Sequence, residues 1–64
     1  MDEITRLRKA KGWSQERLAR EAGISVRTII RVEQGVSSPT IPILRKIAEA
    51  LGVTPGDLLE AASA

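Results

Sequence analysis

Two amphipathic segments of this chain are separated by only three residues, and this spacing leaves few ways of folding it. Apolar residues recur at helical spacing over residues 15–22 and again over residues 26–34. Gly23 opens the connection as a typical helix stop, and Ser25 closes it as an N-cap for the next helix. So short a connection predicts two helices that cross at a steep angle.

Small and apolar residues occur where such a crossing needs them. Ala19 has a side chain small enough for the second helix to approach the first closely. Trp13 and Leu18 have the spacing of a hydrophobic staple at the start of the first of these helices. The apolar positions that would lock the crossing are Leu18, Ala22, Ile24, Ile29 and Val32. We interpret residues 15–34 as a helix-turn-helix unit.

Three further helices complete the predicted fold. Their expected bounds are Asp2–Ala10, 41–50 and a start near Pro55, with Asp2, Thr40 and Thr54 as N-caps. Residues 36–39 are expected to form a loop. No segment shows the alternation of apolar and polar residues that a strand requires. The sequence therefore predicts a compact, all-α, five-helix fold in a single domain over residues 1–64.

The residue types missing from these 64 residues restrict the chemistry. There is no cysteine for a disulfide, and neither cysteine nor histidine for a structural zinc ion. Without histidine, cysteine or tyrosine, the usual nucleophiles and near-neutral bases are absent as well. The sequence therefore disfavours an enzyme and predicts no catalytic residue, metal, cofactor or small-molecule ligand.

The cellular location is predicted from what the chain does not contain. Residues 1–11 are rich in charge and are followed by no apolar signal-peptide region. No apolar run approaches the roughly 18 residues that a membrane span needs. The lack of cysteine suits a reducing compartment. We therefore expect a soluble cytoplasmic protein.

Charge is distributed unevenly along the chain. Residues 1–46 contain all ten lysines and arginines against five acidic residues, a net charge of 10 − 5 = +5. Residues 47–64 contain three acidic residues and no basic one, a net charge of −3. The basic part indicates a polyanionic partner, with the acidic part facing away from it. The alternative is a solvated surface with a chance asymmetry.

A family resemblance covers nearly all of the chain. It is carried by Gln15-Glu16-Arg17-Leu18-Ala19, Gly23-Ile24-Ser25, Ile29, Val32-Glu33-Gln34-Gly35 and Pro39, with Leu7-Arg8, Leu44, Ile47-Ala48, Leu51-Gly52-Val53 and Leu58-Leu59 outside the central unit. This pattern resembles the Cro/repressor-type helix-turn-helix family, also called the xenobiotic-response-element family, which includes the lambdoid phage repressors. The resemblance implies sequence-specific binding of double-stranded DNA by a bacterial or phage transcriptional regulator, more often a repressor than an activator, that is nucleoid-associated when bound.

In such proteins the helix over residues 26–34 would be the recognition helix and would lie in the major groove. Ile29 and Val32 are expected to face inward. The residues left on the outward side, which we assign to base contacts, are Val26, Arg27, Ile30, Arg31 and Gln34. Arginine reads guanine, glutamine reads adenine, and apolar side chains contact thymine methyl groups. For Val26 and Ile30 the alternative is an ordinary exposed apolar residue.

Backbone phosphates are expected to bind near the starts of the two central helices, where free N–H groups and the helix dipole favour anions. The residues assigned to phosphate contacts are Ser14, Gln15, Arg17, Ser25 and Thr28. Ser14 is also a cap, and both roles are compatible. The resemblance implies that Gln15 binds phosphate and braces the recognition helix. It also implies a partly buried ion pair between Arg8 and Glu33, which would make Arg8 structural.

Two further expectations concern assembly. Residues 36–38 carry no charge, whereas in many relatives this loop is basic, so we expect a weaker electrostatic grip on DNA and binding by two copies. A homodimer on a pseudo-palindromic site would use the fourth and fifth helices, with Ile43 and Leu59 as candidates. The alternative for either residue is a place in the core. The chain could also be a fragment that lacks its oligomerisation domain. The alternative function is a protein-interaction module, such as an antitoxin-type partner-binding domain.

Overall fold

Five helices make up the fold in the part of the chain that the computed structural model describes, residues 1–36 and 38–63, with side chains described as far as Leu59. In chain order they are α1 (Asp2–Ala10), α2 (Gln15–Ala22), α3 (Val26–Gln34), α4 (Ile41–Leu51) and α5 (Pro55–Ser63). These residues contain no strand, and the predicted all-α fold is confirmed. Ser37, in the expected loop over 36–39, and Ala64 lie outside the described residues.

The two central helices begin and end as the sequence predicts. The Ser14 hydroxyl accepts a hydrogen bond from the Arg17 N–H at 3.0 Å, and the Ser25 hydroxyl accepts one from the Thr28 N–H at 3.2 Å. Each cap satisfies a backbone donor that the helix leaves without a partner. Gly23 ends α2 in the left-handed conformation, at a φ of 71°, which a residue with a side chain rarely adopts.

The outer helices differ in detail from the sequence prediction. The prediction of Asp2 as a cap is wrong, because Asp2 is already helical and Met1 occupies the N-cap position without a side-chain hydrogen bond. Thr40 occupies the N-cap position of α4 as predicted, but its side chain forms no capping hydrogen bond. The helix also extends to Leu51 rather than residue 50. At α5, Thr54 and Asp57 exchange hydrogen bonds of 3.0 and 3.1 Å in a capping box.

A single apolar core joins the five helices. Every helix contributes at least one fully buried large side chain, and these are Ile4, Leu18, Ile29, Leu44, Ile47 and Leu58. Ala19 is 4% exposed and lies in the same core, which is consistent with a close approach of α2 and α3. The staple residue Trp13 packs against this core from the turn before α2. The core thus fixes the position of α3 relative to the other helices.

None of the helices in the described part of the chain has the length and apolar character that a membrane span requires.

Candidate nucleic-acid interface

The connection between α2 and α3 is a tight turn held by backbone hydrogen bonds. The Ile24 N–H donates to the Ala19 carbonyl at 3.0 Å, and the Gly23 N–H donates to the Arg20 carbonyl at 3.2 Å. Ser25 then adopts an extended conformation, with ψ at 149°, and α3 begins at the next residue. The last turn of α2 and the first turn of α3 are therefore fixed relative to each other.

One side of α3 carries exposed polar residues at helical spacing. Arg27, Arg31 and Gln34 are all exposed, and their spacing of four and three residues places them along one stripe. Ile29 and Val32, on the opposite side, are 0% and 2% exposed. The helix therefore presents two guanidinium groups and one amide to the surroundings.

The two apolar residues assigned to base contacts are half-buried. Val26 lies at the start of α3 and packs against the core, so only part of its side chain is presented outward. Ile30 lies between Arg27 and Arg31 in the sequence and is also half-buried. The exposed surface of both residues is therefore smaller than the sequence suggests.

The five residues assigned to phosphate contacts lie at the starts of α2 and α3. Ser14 and Ser25 are the exposed N-caps. The Ser25 and Thr28 hydroxyls are 2.9 Å apart and hydrogen-bonded to each other. Arg17 is exposed, and its Nε donates to the Glu21 carboxylate at 2.7 Å. The remaining residue, Gln15, is half-buried and belongs to the network described next.

A buried polar network links α1, the start of α2 and the end of α3. The Arg8 guanidinium donates twice to the Glu33 carboxylate, at 2.7 and 3.2 Å, and the two side chains are 10% and 6% exposed. The third donor of Arg8, Nη1, bonds the Trp13 carbonyl at 2.7 Å. The Gln15 amide donates to Glu33 at 3.1 Å. Each of the three guanidinium nitrogens of Arg8 thus forms a hydrogen bond inside the protein, as expected of the pair with Glu33.

The same network controls the ionisation of Glu33. Burial alone would raise its pKa, but hydrogen bonds from Arg8 and Gln15, the charge of Arg8 and a hydrogen bond from Thr5 together hold the pKa below the ordinary value of 4.5. The carboxylate is therefore ionised at neutral pH, and it stabilises the folded chain in that form.

We expect this stabilisation to be lost in acid. Because the pKa of Glu33 is lower in the folded state, its contribution is complete above the ordinary value of 4.5 and disappears as the pH falls through the folded value. The difference in free energy of unfolding between wild type and Glu33→Gln should be constant above about pH 5 and shrink at lower pH. Urea denaturation across this range measures it, and a difference independent of pH would contradict the assignment.

Lys11 and Trp13, beside this network, are not among the residues that the sequence assigns to the site. The Lys11 ammonium lies 5.2 Å from the centre of the Trp13 ring, and the Arg17 guanidinium lies 5.0 Å from it. Trp13 was predicted only as a staple. The spacing of Trp13 and Arg17, four residues apart, is the one signal in the sequence that pointed to this cluster.

Exposed apolar residues occur after α3, at the start of α4 and in α5. Val36, Ile41 and Leu59 are 67%, 55% and 47% exposed. A groove of about 240 Å³ is lined by Met1, Gly35, Ser38, Pro39, Ile41, Leu44 and Leu59. Of the two residues expected at a dimer contact, Leu59 borders this groove, whereas Ile43 is half-buried and packs against the core.

The tight turn between α2 and α3, their shared core and the exposed stripe of α3 together define a helix-turn-helix domain. A family model described as helix-turn-helix matches residues 4–58 of the chain. The chain belongs to this family, in its Cro/repressor-type branch, and the resemblance inferred from the sequence is confirmed.

Several curated proteins are similar to this chain. The HTH-type transcriptional regulator SutR of Escherichia coli is 42% identical over 50 residues, which are 78% of this chain and 28% of SutR. An uncharacterised HTH-type transcriptional regulator of Methanothermobacter thermautotrophicus is 44% identical over 45 residues, 70% of this chain and 65% of that protein. The regulator y4dJ of Sinorhizobium fredii is 37% identical over 56 residues, 88% of this chain and 73% of y4dJ. The chain thus spans less than two thirds of the first two relatives.

Proposed function

We propose that this chain is a transcriptional regulator, more specifically a repressor, that binds double-stranded DNA in a sequence-specific manner. We also propose that it is located in the cytoplasm. The observation that carries the proposal is the exposed stripe of Arg27, Arg31 and Gln34 on a helix whose opposite side is buried. Both side-chain types form paired hydrogen bonds with base edges in the major groove. Relatives named HTH-type transcriptional regulators support the same role.

In this proposal α3 is the recognition helix and lies in the major groove. The base contacts are made by Val26, Arg27, Ile30, Arg31 and Gln34. Arg27 and Arg31 contact guanine, and Gln34 contacts adenine. The half-buried Val26 and Ile30 contact thymine methyl groups with their own methyl groups. Ile30 is the better placed of the two, because Val26 packs partly against the core.

Phosphate contacts at the starts of α2 and α3 set the register of the domain on DNA. We assign them to Ser14, Gln15, Arg17, Ser25 and Thr28. Gln15 can bind Glu33 and a phosphate at the same time, because its amide has two N–H donors and the bond to Glu33 uses only one. A phosphate bound by the second donor would therefore be coupled through Glu33 to the end of the recognition helix.

We also propose that two copies of the chain bind together on a two-fold symmetric site. The exposed apolar residues Val36, Ile41 and Leu59 support an interface formed by the residues after α3, the start of α4 and α5. Of the two candidates that the sequence offered for this interface, Leu59 is kept, whereas Ile43 packs against the core. Two recognition helices would then lie about one helical turn of DNA apart, ~34 Å.

Selection of bound sequences from a random duplex pool, at roughly physiological salt, tests these proposals together. A two-fold symmetric site with half-sites about one turn apart would support a dimeric regulator and give its operator. A single short site would support sequence-specific binding and contradict the dimer. Failure to enrich any sequence would contradict the DNA-binding function and favour a protein-interaction module that uses the apolar groove instead.

We expect Arg31→Ala to weaken binding to the selected site by about 1–3 kcal/mol and to relax the base preference at one position. The reason is the loss of a guanidinium that reads a base edge, while the fold is unaffected because Arg31 is exposed. Binding isotherms on the selected duplex and on single-base variants measure both effects. Arg45→Ala, an exposed arginine of α4, is the matched control. An equal loss on all sequences would show a phosphate contact instead.

A further inference from the structure

A small cluster at the start of α2 combines one aromatic ring with two cations. Trp13 is the only aromatic residue of the chain. The Lys11 ammonium and the Arg17 guanidinium both lie over this ring, 5.2 and 5.0 Å from its centre. These distances are within the range of cation–π attraction. The ring therefore restrains two long side chains that would otherwise sample many conformations.

The ring itself is held firmly. The Trp13 backbone N–H donates to the Arg8 backbone carbonyl at 3.1 Å, and the Trp13 backbone carbonyl accepts from the Arg8 guanidinium at 2.7 Å. Arg8 is in turn fixed by its two hydrogen bonds to Glu33. The indole packs against the apolar core on its buried side. Backbone and side chain are thus both anchored, so the ring provides a rigid surface for the two cations.

The cluster adjoins the recognition helix. Gln15, two residues beyond Trp13, contacts Glu33 in the last turn of α3. Lys11 and Arg17 are both exposed to solvent. Two exposed positive charges held by Trp13 therefore lie near the start of α2, the helix that Gln15 links to the end of α3.

We propose that Trp13 is a positioning residue that holds Lys11 and Arg17 for contact with DNA backbone phosphates, which makes Lys11 a phosphate contact in addition to those assigned above. This inference rests on the proposed DNA-binding function. A flexible side chain loses conformational entropy when it binds, and this loss weakens affinity. The loss is smaller when the Trp13 ring already restrains the side chain in the free protein. Glu21 acts against the contact, because its carboxylate accepts from Arg17 in the free protein. A DNA phosphate would take the place of that carboxylate.

The test is a salt titration of binding to the duplex selected from the random pool, with four variants. Lys11→Gln should reduce the slope of log affinity against log salt by about 0.9, the value for one lost phosphate contact. Lys46→Gln is the matched control, because Lys46 is an exposed lysine beside Ala22, at the other end of α2, and should leave the slope unchanged. Trp13→Leu should weaken binding about 2- to 10-fold on all sequences alike, whereas Trp13→Tyr, which keeps an aromatic face, should restore most of it.

Circular dichroism at the binding temperature confirms that each variant is folded, so that loss of affinity is separated from loss of structure. An unchanged slope for Lys11→Gln, or equal affinities of the leucine and tyrosine variants of Trp13, would overturn this inference. The proposed DNA-binding function would still stand if the wild type binds the selected site. If wild type binds no duplex, both proposals fail. Emission of Trp13, the sole aromatic residue, should change on addition of the duplex, and an unchanged spectrum would also count against the cluster.

Discussion

Arg8→Ala is expected to lower the free energy of unfolding by about 3–5 kcal/mol, because it leaves the Glu33 carboxylate buried without its cation. The Arg8 and Glu33 side chains are only 10% and 6% exposed, so the carboxylate is largely shielded from bulk water. The Trp13 carbonyl loses a hydrogen bond as well. A domain of this size has a total stability of roughly 3–10 kcal/mol. The substitution should therefore remove at least about a third of the stability of the domain.

Urea denaturation of wild type, Arg8→Ala and Arg6→Ala measures the effect against a matched control. Arg6 pairs with Glu3 within α1, but its side chain is 75% exposed. Removing an exposed pair of this kind should change stability by about 0–1 kcal/mol. Similar losses for the two alanine variants would contradict the structural role of the buried pair. The double variant Arg8→Met/Glu33→Leu should be more stable than Arg8→Ala, since it leaves no buried charge.

Ile29→Ala is expected to lower the free energy of unfolding by about 2–5 kcal/mol, because it opens a cavity in a well-packed core. Ile29 is 0% exposed and is one of two residues that hold the inner side of α3. Its loss should also loosen the recognition helix, so DNA binding should weaken along with stability.

The adjacent Ile30→Ala is the control for Ile29→Ala. Ile30 is half-buried, on the side of α3 assigned to DNA, so its truncation should cost about 1 kcal/mol or less in stability. Thermal unfolding followed by circular dichroism compares the two variants. An equal or larger loss for Ile30→Ala would mean that the inward and outward sides of α3 are assigned wrongly.

Much of the fold could be predicted because short-range signals determine it. Ser14 and Ser25 cap their helices as expected, and the bounds of α2 and α3 agree with the prediction at both ends. The errors occur where local signals compete with packing. Leu51 is 4% exposed and extends the buried stripe of α4, so the helix continues until Gly52 adopts the left-handed conformation. The expected Asp2 cap is absent because Met1 already holds that position.

The site divides in the same way. The outward stripe of α3 follows from helical periodicity alone, once Ile29 and Val32 are placed inside. The pair between Arg8 and Glu33 joins residues 25 positions apart, and only the family resemblance suggested it. The contact of Gln15 with Glu33 and the cluster around Trp13 depend on how separate helices approach each other, and no periodicity encodes that. Such tertiary contacts are visible only in the three-dimensional structure.

The separation of buried and exposed sides on α3 has a consequence for how such proteins diversify. Ile29, Val32 and Glu33 hold the helix in place, whereas Arg27, Arg31 and Gln34 are exposed. Exposed positions tolerate substitution with changes of about 0.5 kcal/mol or less. A different DNA sequence preference can therefore be acquired by substitutions at three exposed positions, without compensating changes in the core. A combinatorial library at these positions should yield domains that melt close to the parent yet recognise different operators.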